Sequence, residues 1–175
     1  AEAISSAVRG CDLEPLLTET SVPTPSCSWA VVKRKALGAL VITASHNPPE
    51  WLGLKIKGPL GGSVEADFTR AVEERLSART IYVPLDGLTR KFDCRNEHLN
   101  GLRSQFDISK LLNQLNKLGW KIIVDPMHGS AAGCMGDLLE QSNHELIEEI
   151  RSTRDTLFGG NAPEPLAQNV TQLIA

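Results

Sequence analysis

Apolar residues alternate along this chain between short runs of strand length and stripes of helical spacing. Ala3, Ile4, Ala7 and Val8 recur at helical spacing and stop at Gly10, which predicts a first helix. Leu13–Leu17 predicts a short strand. Val22-Pro23-Thr24-Pro25 predicts a stiff extended turn, because proline removes a donor and biases the residue before it away from helix. A helix over Ser26–Leu37 ends at Gly38, and Ala39–Ile42 is a buried strand by its length and β-branching. Lys55–Lys57 continues a second strand up to Gly58-Pro59. Gly58-Pro59-Leu60-Gly61-Gly62 has the composition of a phosphate loop but lacks the Walker spacing and its lysine, so it reads as a turn. Phe68, Val72 and Leu76 then mark one face of a helix over 64–78, with Glu73, Glu74 and Arg75 on its solvated side.

The pattern breaks over 79–100. Thr80–Leu85 starts like a strand, Asp86-Gly87 signals a turn, and the polar stretch Arg90–Asn100 reads as a connector with a helix beginning near its end. Helix and strand then alternate again. Ile108, Leu111, Leu112, Leu115 and Leu118 form a helical stripe ending at Gly119, and Trp120–Asp125 is a strand. Met127-His128-Gly129-Ser130 turns into a helix reaching about Gln141, Glu145–Ile150 is another strand, and a Gly/Pro-rich loop over Leu157–Pro165 precedes a last helix. Such alternation predicts an α/β fold of mixed, largely parallel sheets sandwiched between helices in three layers. Two consecutive domains are expected: residues 1–79, a connector over 80–100, and residues 101–175.

Composition narrows the functional class. With 41% hydrophobic and 22% charged residues the chain has the make-up of a globular protein with a real core. A net charge of −3 argues against a nucleic-acid partner, which calls for a basic face, while leaving room for a local basic pocket for small phosphorylated substrates. No apolar run is long enough for a membrane span, and no signal-peptide pattern is present, so a cytoplasmic protein with no membrane partner is expected. Cys11, Cys27, Cys94 and Cys134 form no CxxC pair and complete no zinc spacing with His46, His98, His128 or His144; they read as reduced packing residues. The chain opens at Ala1 inside one helical pattern and closes inside another, which is expected of part of a longer protein.

The chemistry concentrates in Thr43-Ala44-Ser45-His46-Asn47-Pro48-Pro49. A buried strand runs into a proline-stiffened loop carrying a hydroxyl, an imidazole and an amide in succession, and a lysine follows ten residues after the hydroxyl. Ends of buried α/β strands are where such folds place ligands, which makes Ser45 a candidate nucleophile or phosphate carrier. Taken alone, the composition of this stretch also describes a generic turn, and Asn47-Pro48 by itself favours turn initiation. Its context resembles the active-site serine loop of the α-D-phosphohexomutases, the phosphoglucomutase/phosphomannomutase enzymes. Two later segments fall in the order of the same family. Val124-Asp125-Pro126-Met127-His128-Gly129 resembles the Asp-Pro-x-His-Gly turn of its second domain, and Arg154-Asp155-Thr156-Leu157-Phe158-Gly159-Gly160 with Pro163-Glu164-Pro165 resembles a later loop. One departure stands out: where the family commonly has Asn-Gly before the lysine, this chain has Leu52-Gly53.

The resemblance implies a specific chemistry. The serine, phosphorylated in the resting enzyme, gives its phosphate to a hexose phosphate; the resulting bisphosphate reorients and returns its other phosphate. The net reaction is an isomerisation between hexose 1-phosphate and hexose 6-phosphate of glucose or mannose, by intramolecular phosphotransfer. In this reading Ser45 is the phosphoserine and, through its phosphate, a Mg²⁺ ligand. Lys55 matches the lysine of proton transfer and charge stabilisation, His46 is a weaker catalytic candidate, and Asn47 orients the loop. Glucose 1,6-bisphosphate is the implied activator, and the remaining domains of the parent chain, with their metal triad and distal phosphate site, are the implied partners. The residues themselves suggest plainer roles elsewhere: a solvated strand lysine for Lys57, a structural turn for His128, and a loop ion pair or cap for Arg154 and Asp155. Three alternatives stay open. They are a degenerate sugar-phosphate-binding or regulatory module, a mutase for glucosamine or pentose phosphates, and, against the lack of a Gly-x-Ser-x-Gly elbow, a serine hydrolase.

Overall fold

A computed structural model describes residues 1–76, 85–139 and 145–174. The predicted start of a strand at Thr80 and the end of the helix near Gln141 fall outside the described residues. The chain divides into two units: Ala1–Ile42 with Leu54–Arg95, and Thr43–Gly53 with Asn96–Ala175. Among the described residues, three two-stranded sheets are flanked by helices in a mixed α/β arrangement.

The first unit carries α1 (Glu2–Arg9), β1 (Leu16–Thr18), α2 (Thr24–Arg34), β2 (Ala39–Thr43), β3 (Gly53–Lys57), α3 (Ala66–Leu76) and β4 (Arg90–Phe92). α2 begins two residues ahead of the sequence reading, because Pro25 sits in its first turn, where a missing N–H costs nothing. It ends early, at Lys35 in left-handed backbone (φ 52°), whose N–H reaches back to the last turn. β1 and β4 pair in parallel, Leu16 opposite Arg90 and Thr18 opposite Phe92. The polar stretch read as a connector is therefore ordered. Its first residues become a strand by pairing with β1, and its remainder becomes α4 (Cys94–Gln105).

The Arg34 guanidinium stacks over the Phe92 ring at 4.3 Å, and Arg90 pairs with Glu14 at 3.0 Å. Arg9 ties α1 to the chain before β4, donating to the Leu85 carbonyl and the Thr89 hydroxyl. Among the described residues of this unit, Ala30, Val31, Val41 and Cys94 are the buried apolar ones. All four cysteines are free thiols. A hydrogen bond to Cys94 lowers the Cys27 thiol pKa to about 7, against the opposing effect of burial and with help from the Lys57 charge.

The second unit is built on α5 (Ile108–Leu118), β5 (Ile122–Val124), α6 (Cys134–Leu138), β6 (Ile147–Glu149) and a short terminal α7 (Thr171–Ile174). α5 follows its apolar stripe. Asp107 caps it by accepting from Lys110 N–H at 2.8 Å, and Gly119 closes it in left-handed backbone. β5 and β6 pair in parallel, Ile122 opposite Ile147. Leu99, Leu115, Met127, Leu139 and Leu146 form the buried apolar core. The five-residue α6 is held at both ends. Glu149 accepts from the Gly133 and Gly136 N–H groups at 2.7 and 3.0 Å, and Arg103 donates to the Asp137 and Leu138 carbonyls. An anion at the start and a cation at the end both complement the helix dipole. No helix among the described residues is long and apolar enough to cross a membrane.

Candidate functional site

The serine loop is two consecutive tight turns pinched at the base. In the first, Asn47 N–H donates to the Ala44 carbonyl at 3.1 Å, which makes Ser45 and His46 the corner residues. In the second, Trp51 N–H donates to the Pro48 carbonyl at 3.1 Å. The Asn47 side-chain amide also donates to the Ala44 carbonyl, at 2.8 Å, and the Thr43 hydroxyl accepts from Ser45 N–H at 3.0 Å. At the base a Cβ on Gly53 would lie 2.9 Å from the Thr43 carbonyl, so only glycine fits there without displacing backbone. Ser45 adopts left-handed backbone (φ 60°), a conformation that costs a non-glycine residue about 1–2 kcal/mol. It persists because the turn and the Thr43 contact hold it. Ser45 itself stays exposed.

The Ser45 hydroxyl lies 3.3 Å from His46 Nδ1. The other ring nitrogen, Nε2, faces the Glu164 carboxylate at 3.9 Å. Ser45, His46, Asn47 and Glu164 thus come together in the second unit. Lys55 belongs to the first unit, exposed on β3, where Lys57 reaches the Ser63 hydroxyl at 3.4 Å. Beyond β3, Gly58–Gly62 is a turn. Gly58 N–H donates to the Gly62 carbonyl and Gly61 N–H to that of Gly58, and Val64 N–H returns to the Ile56 carbonyl. Gly61 sits at φ 78°, and a Cβ there would approach the Ser28 carbonyl to 2.6 Å.

The two later sequence motifs meet each other. His128 N–H donates to the Arg151 carbonyl at 3.0 Å, and Asp155 N–H donates to the His128 carbonyl at 3.2 Å. His128 Nδ1 lies 2.7 Å from the Thr153 carbonyl, which can only accept, so Nδ1 carries the proton. The Arg151 guanidinium holds the Asp125 carboxylate, with Nε 2.9 Å from Oδ1, and the Asp125 side chain is almost fully buried. Burial pushes the Asp125 carboxyl up, but the Arg151 hydrogen bonds, the Met127 N–H and the Arg151 charge outweigh it and leave it below the usual carboxylate range. Asp155 caps the next turn, accepting from the Leu157 and Gly159 N–H groups, and these bonds lower its pKa. His128 fastens the two loops together through these bonds.

Sequence reasoning passed over Arg103, Glu149 and Arg151, and took Thr43 and Glu164 only as parts of motifs. Each acts through a partner set by folding. The flanking Pro163 and Pro165 were the one local sign that Glu164 is held rigidly.

A resident Mg²⁺ requires several oxygen ligands in octahedral geometry. Among the described residues no group of three or more His, Cys, Asp or Glu side chains is placed to hold a metal ion. The Ser45 loop does not build a metal site by itself.

The exposed Ser45 thus sits in a loop at the end of a strand of an α/β fold. Comparison with known proteins gives the family. The family profile for phosphoglucomutase/phosphomannomutase, alpha/beta/alpha domain I, matches residues 1–82. A phosphoglucosamine mutase of Prochlorococcus marinus is 32% identical over 89% of this chain and 34% of its own length. A phosphoglucomutase/phosphomannomutase of Thermococcus kodakarensis is 27% identical over 92% of this chain and 34% of its own. A crystal structure carrying the phosphomannomutase name, from Thermus thermophilus, superposes with a TM-score of 0.84 at 32% identity, covering 99% of this chain and 39% of that one. The chain belongs to the phosphohexomutase family, and it spans about a third of the length of the curated relatives it matches.

Proposed function

We propose that the protein containing this chain interconverts a hexose 1-phosphate and a hexose 6-phosphate through a phosphorylated Ser45. The observation that carries this reading is the serine loop. A hydroxyl is fixed at the corner of a double turn, in strained backbone that its neighbours hold in place, and stays open to solvent. Strain of this kind recurs at functional sites, where it presents a reacting group in one orientation. Phosphoryl transfer depends mainly on positioning and charge neutralisation, so a rigidly aimed hydroxyl is the part the fold must supply.

In this proposal Ser45 carries the phosphate and Asn47 orients its loop. His46 contacts the Ser45 hydroxyl, and Lys55 stabilises charge and moves a proton as an ammonium on a rigid strand. Ser45, through its phosphate, would hold Mg²⁺, which would supply charge neutralisation at the transferring phosphate with further ligands from elsewhere in the protein, and glucose 1,6-bisphosphate would prime the enzyme. Residues 1–79 act as the latter part of the first family domain, and 101–175 act within the second. The 175-residue chain alone is expected to show no turnover.

The names of the relatives favour a second substrate as strongly as the first. The Prochlorococcus relative is a phosphoglucosamine mutase, so glucosamine phosphate stands beside glucose and mannose phosphates as a candidate. A hydrolase reading has less support, because the imidazole is turned the other way from a Ser-His-Asp hydrolase: Nδ1, and not Nε2, faces the serine.

The test is a coupled assay on the full-length protein, with Mg²⁺ and a bisphosphate primer, over glucose, mannose and glucosamine phosphates. Turnover on at least one, lost about a thousandfold or more in Ser45→Ala, is the expected result. No turnover on any of them would leave a sugar-phosphate-binding or regulatory module as the better account.

A further inference from the structure

We infer that Glu164 is a positioning residue of the serine loop, setting the proton on His46 so that a bare Nδ1 faces the Ser45 hydroxyl. The inference rests on the proposed role of Ser45. Its basis is geometric. A single imidazole lies between two groups, with Nδ1 3.3 Å from Ser45 Oγ and Nε2 3.9 Å from Glu164 Oε1. The second distance is within ion-pair reach, and the carboxylate is the acidic group that faces this nitrogen. An ionised carboxylate only accepts, so the ring nitrogen facing it is favoured as N–H. In the neutral imidazole the other nitrogen is then a lone pair, and here that nitrogen looks at the serine.

Glu164 is built to stay put. Pro163 and Pro165 fix the backbone on either side. Its own carbonyl accepts from Leu166 N–H at 2.8 Å and from the Asn169 side-chain amide at 3.0 Å. These contacts hold the Glu164 backbone, from which its carboxylate reaches the loop; a partly exposed ion pair contributes little to stability, so the inferred effect is on the His46 proton.

The chemical consequence is definite. When dephosphorylated Ser45 takes phosphate from the sugar bisphosphate, its Oγ forms a bond to phosphorus and the bond from phosphorus to the sugar oxygen breaks. The electron pair of that bond stays on the sugar oxygen, which takes up a proton from a general acid or solvent. The Ser45 hydroxyl proton passes to His46 Nδ1, and the imidazolium so formed has Glu164 as its counter-charge.

The test uses the full-length protein in its dephosphorylated form. Long-range proton–nitrogen NMR reads the His46 tautomer, and rapid-quench kinetics reads phosphate return to Ser45. In the wild type, neutral His46 is expected as the Nε2–H tautomer. Glu164→Gln should produce a mixture of tautomers and lower the rate of phosphate return about tenfold with KM unchanged, at an unaltered unfolding midpoint. Glu164→Asp should restore part of both. An unchanged His46 spectrum in Glu164→Gln would overturn the inference, whatever the activity. A tautomer set by Glu164 in a protein that never phosphorylates Ser45 would instead uphold the array and sink the mutase reading.

Discussion

Two loops of the second unit are held in opposite ways. The serine loop depends on its own immediate neighbours: Thr43, Ala44, Asn47 and Pro48 supply its hydrogen bonds within a few residues, and Glu164 faces it from far along the chain across 3.9 Å. The loop of Asp125–Gly129 is cross-linked to residues 151–155 by two backbone bonds, a histidine-to-carbonyl bond and a buried ion pair. Both contain left-handed non-glycine residues, Ser45 in the first and Met127 and His128 in the second. In the second loop the strain is buried under long-range bonds, and the side chains are consumed in making them. In the first the hydroxyl is left available. The proposed chemistry falls where the fold restrains a backbone without using up its side chain.

This contrast can be broken from the cross-linked side first. Asp125→Ala leaves the Arg151 guanidinium without its carboxylate in a nearly dry site and should cost about 3 kcal/mol, read as a lower denaturant midpoint. Ser45→Ala, at an exposed position, should move the same midpoint by less than about 0.5 kcal/mol. If the two variants destabilise equally, the loops are not held differently and the comparison fails.

Acid titration probes the same pair. The folded Asp125 carboxyl lies below its ordinary value of 3.8, so its contribution is fully present above that value. It is lost as pH falls through the lower folded value. Stability should therefore drop more steeply below about pH 4 in the wild type than in Asp125→Asn. Parallel acid profiles would mean the ion pair contributes nothing.

Smaller effects sharpen the picture. Thr43→Val removes the acceptor for Ser45 N–H at a solvated turn and should cost no more than about 1 kcal/mol, while slowing phosphorylation of Ser45. A larger stability loss than for Asp125→Ala would reverse the assignment of roles. The last measurement is a control outside both loops. Cys27 should be alkylated with a midpoint at about pH 7, and Cys94→Ala should move that midpoint upward by removing the hydrogen bond that stabilises the thiolate. No shift on losing Cys94 would show that the two thiols are not in contact.

Much of the scaffold was legible in the sequence, because the signals are local. The stripe from Ile108 to Leu118 with Gly119 after it names its own helix, and Ala39–Ile42 reads as a strand from length and β-branching, one residue short of the observed Ala39–Thr43. The serine loop was legible for the same reason, since its turns close within four residues. Arg90-Lys91-Phe92 carries no such signal. It is a strand because β1, more than seventy residues earlier, offers the hydrogen bonds. α4 is equally opaque: most of its residues are polar, and Cys94, Leu99 and Gly101 alone are buried.

The sequence by itself determined the helix and strand alternation and the turns of the serine loop, because periodicity, caps and turn chemistry act between neighbours, and its ordered motifs carried the resemblance to the family. Only the tertiary structure decided which distant side chains serve those local features. Arg151 neutralises Asp125, Glu149 and Arg103 hold the ends of α6, and Glu164 faces His46. Pairings between residues far apart in the chain are set by how the strands and loops pack together, and no short-range pattern of residue types encodes them.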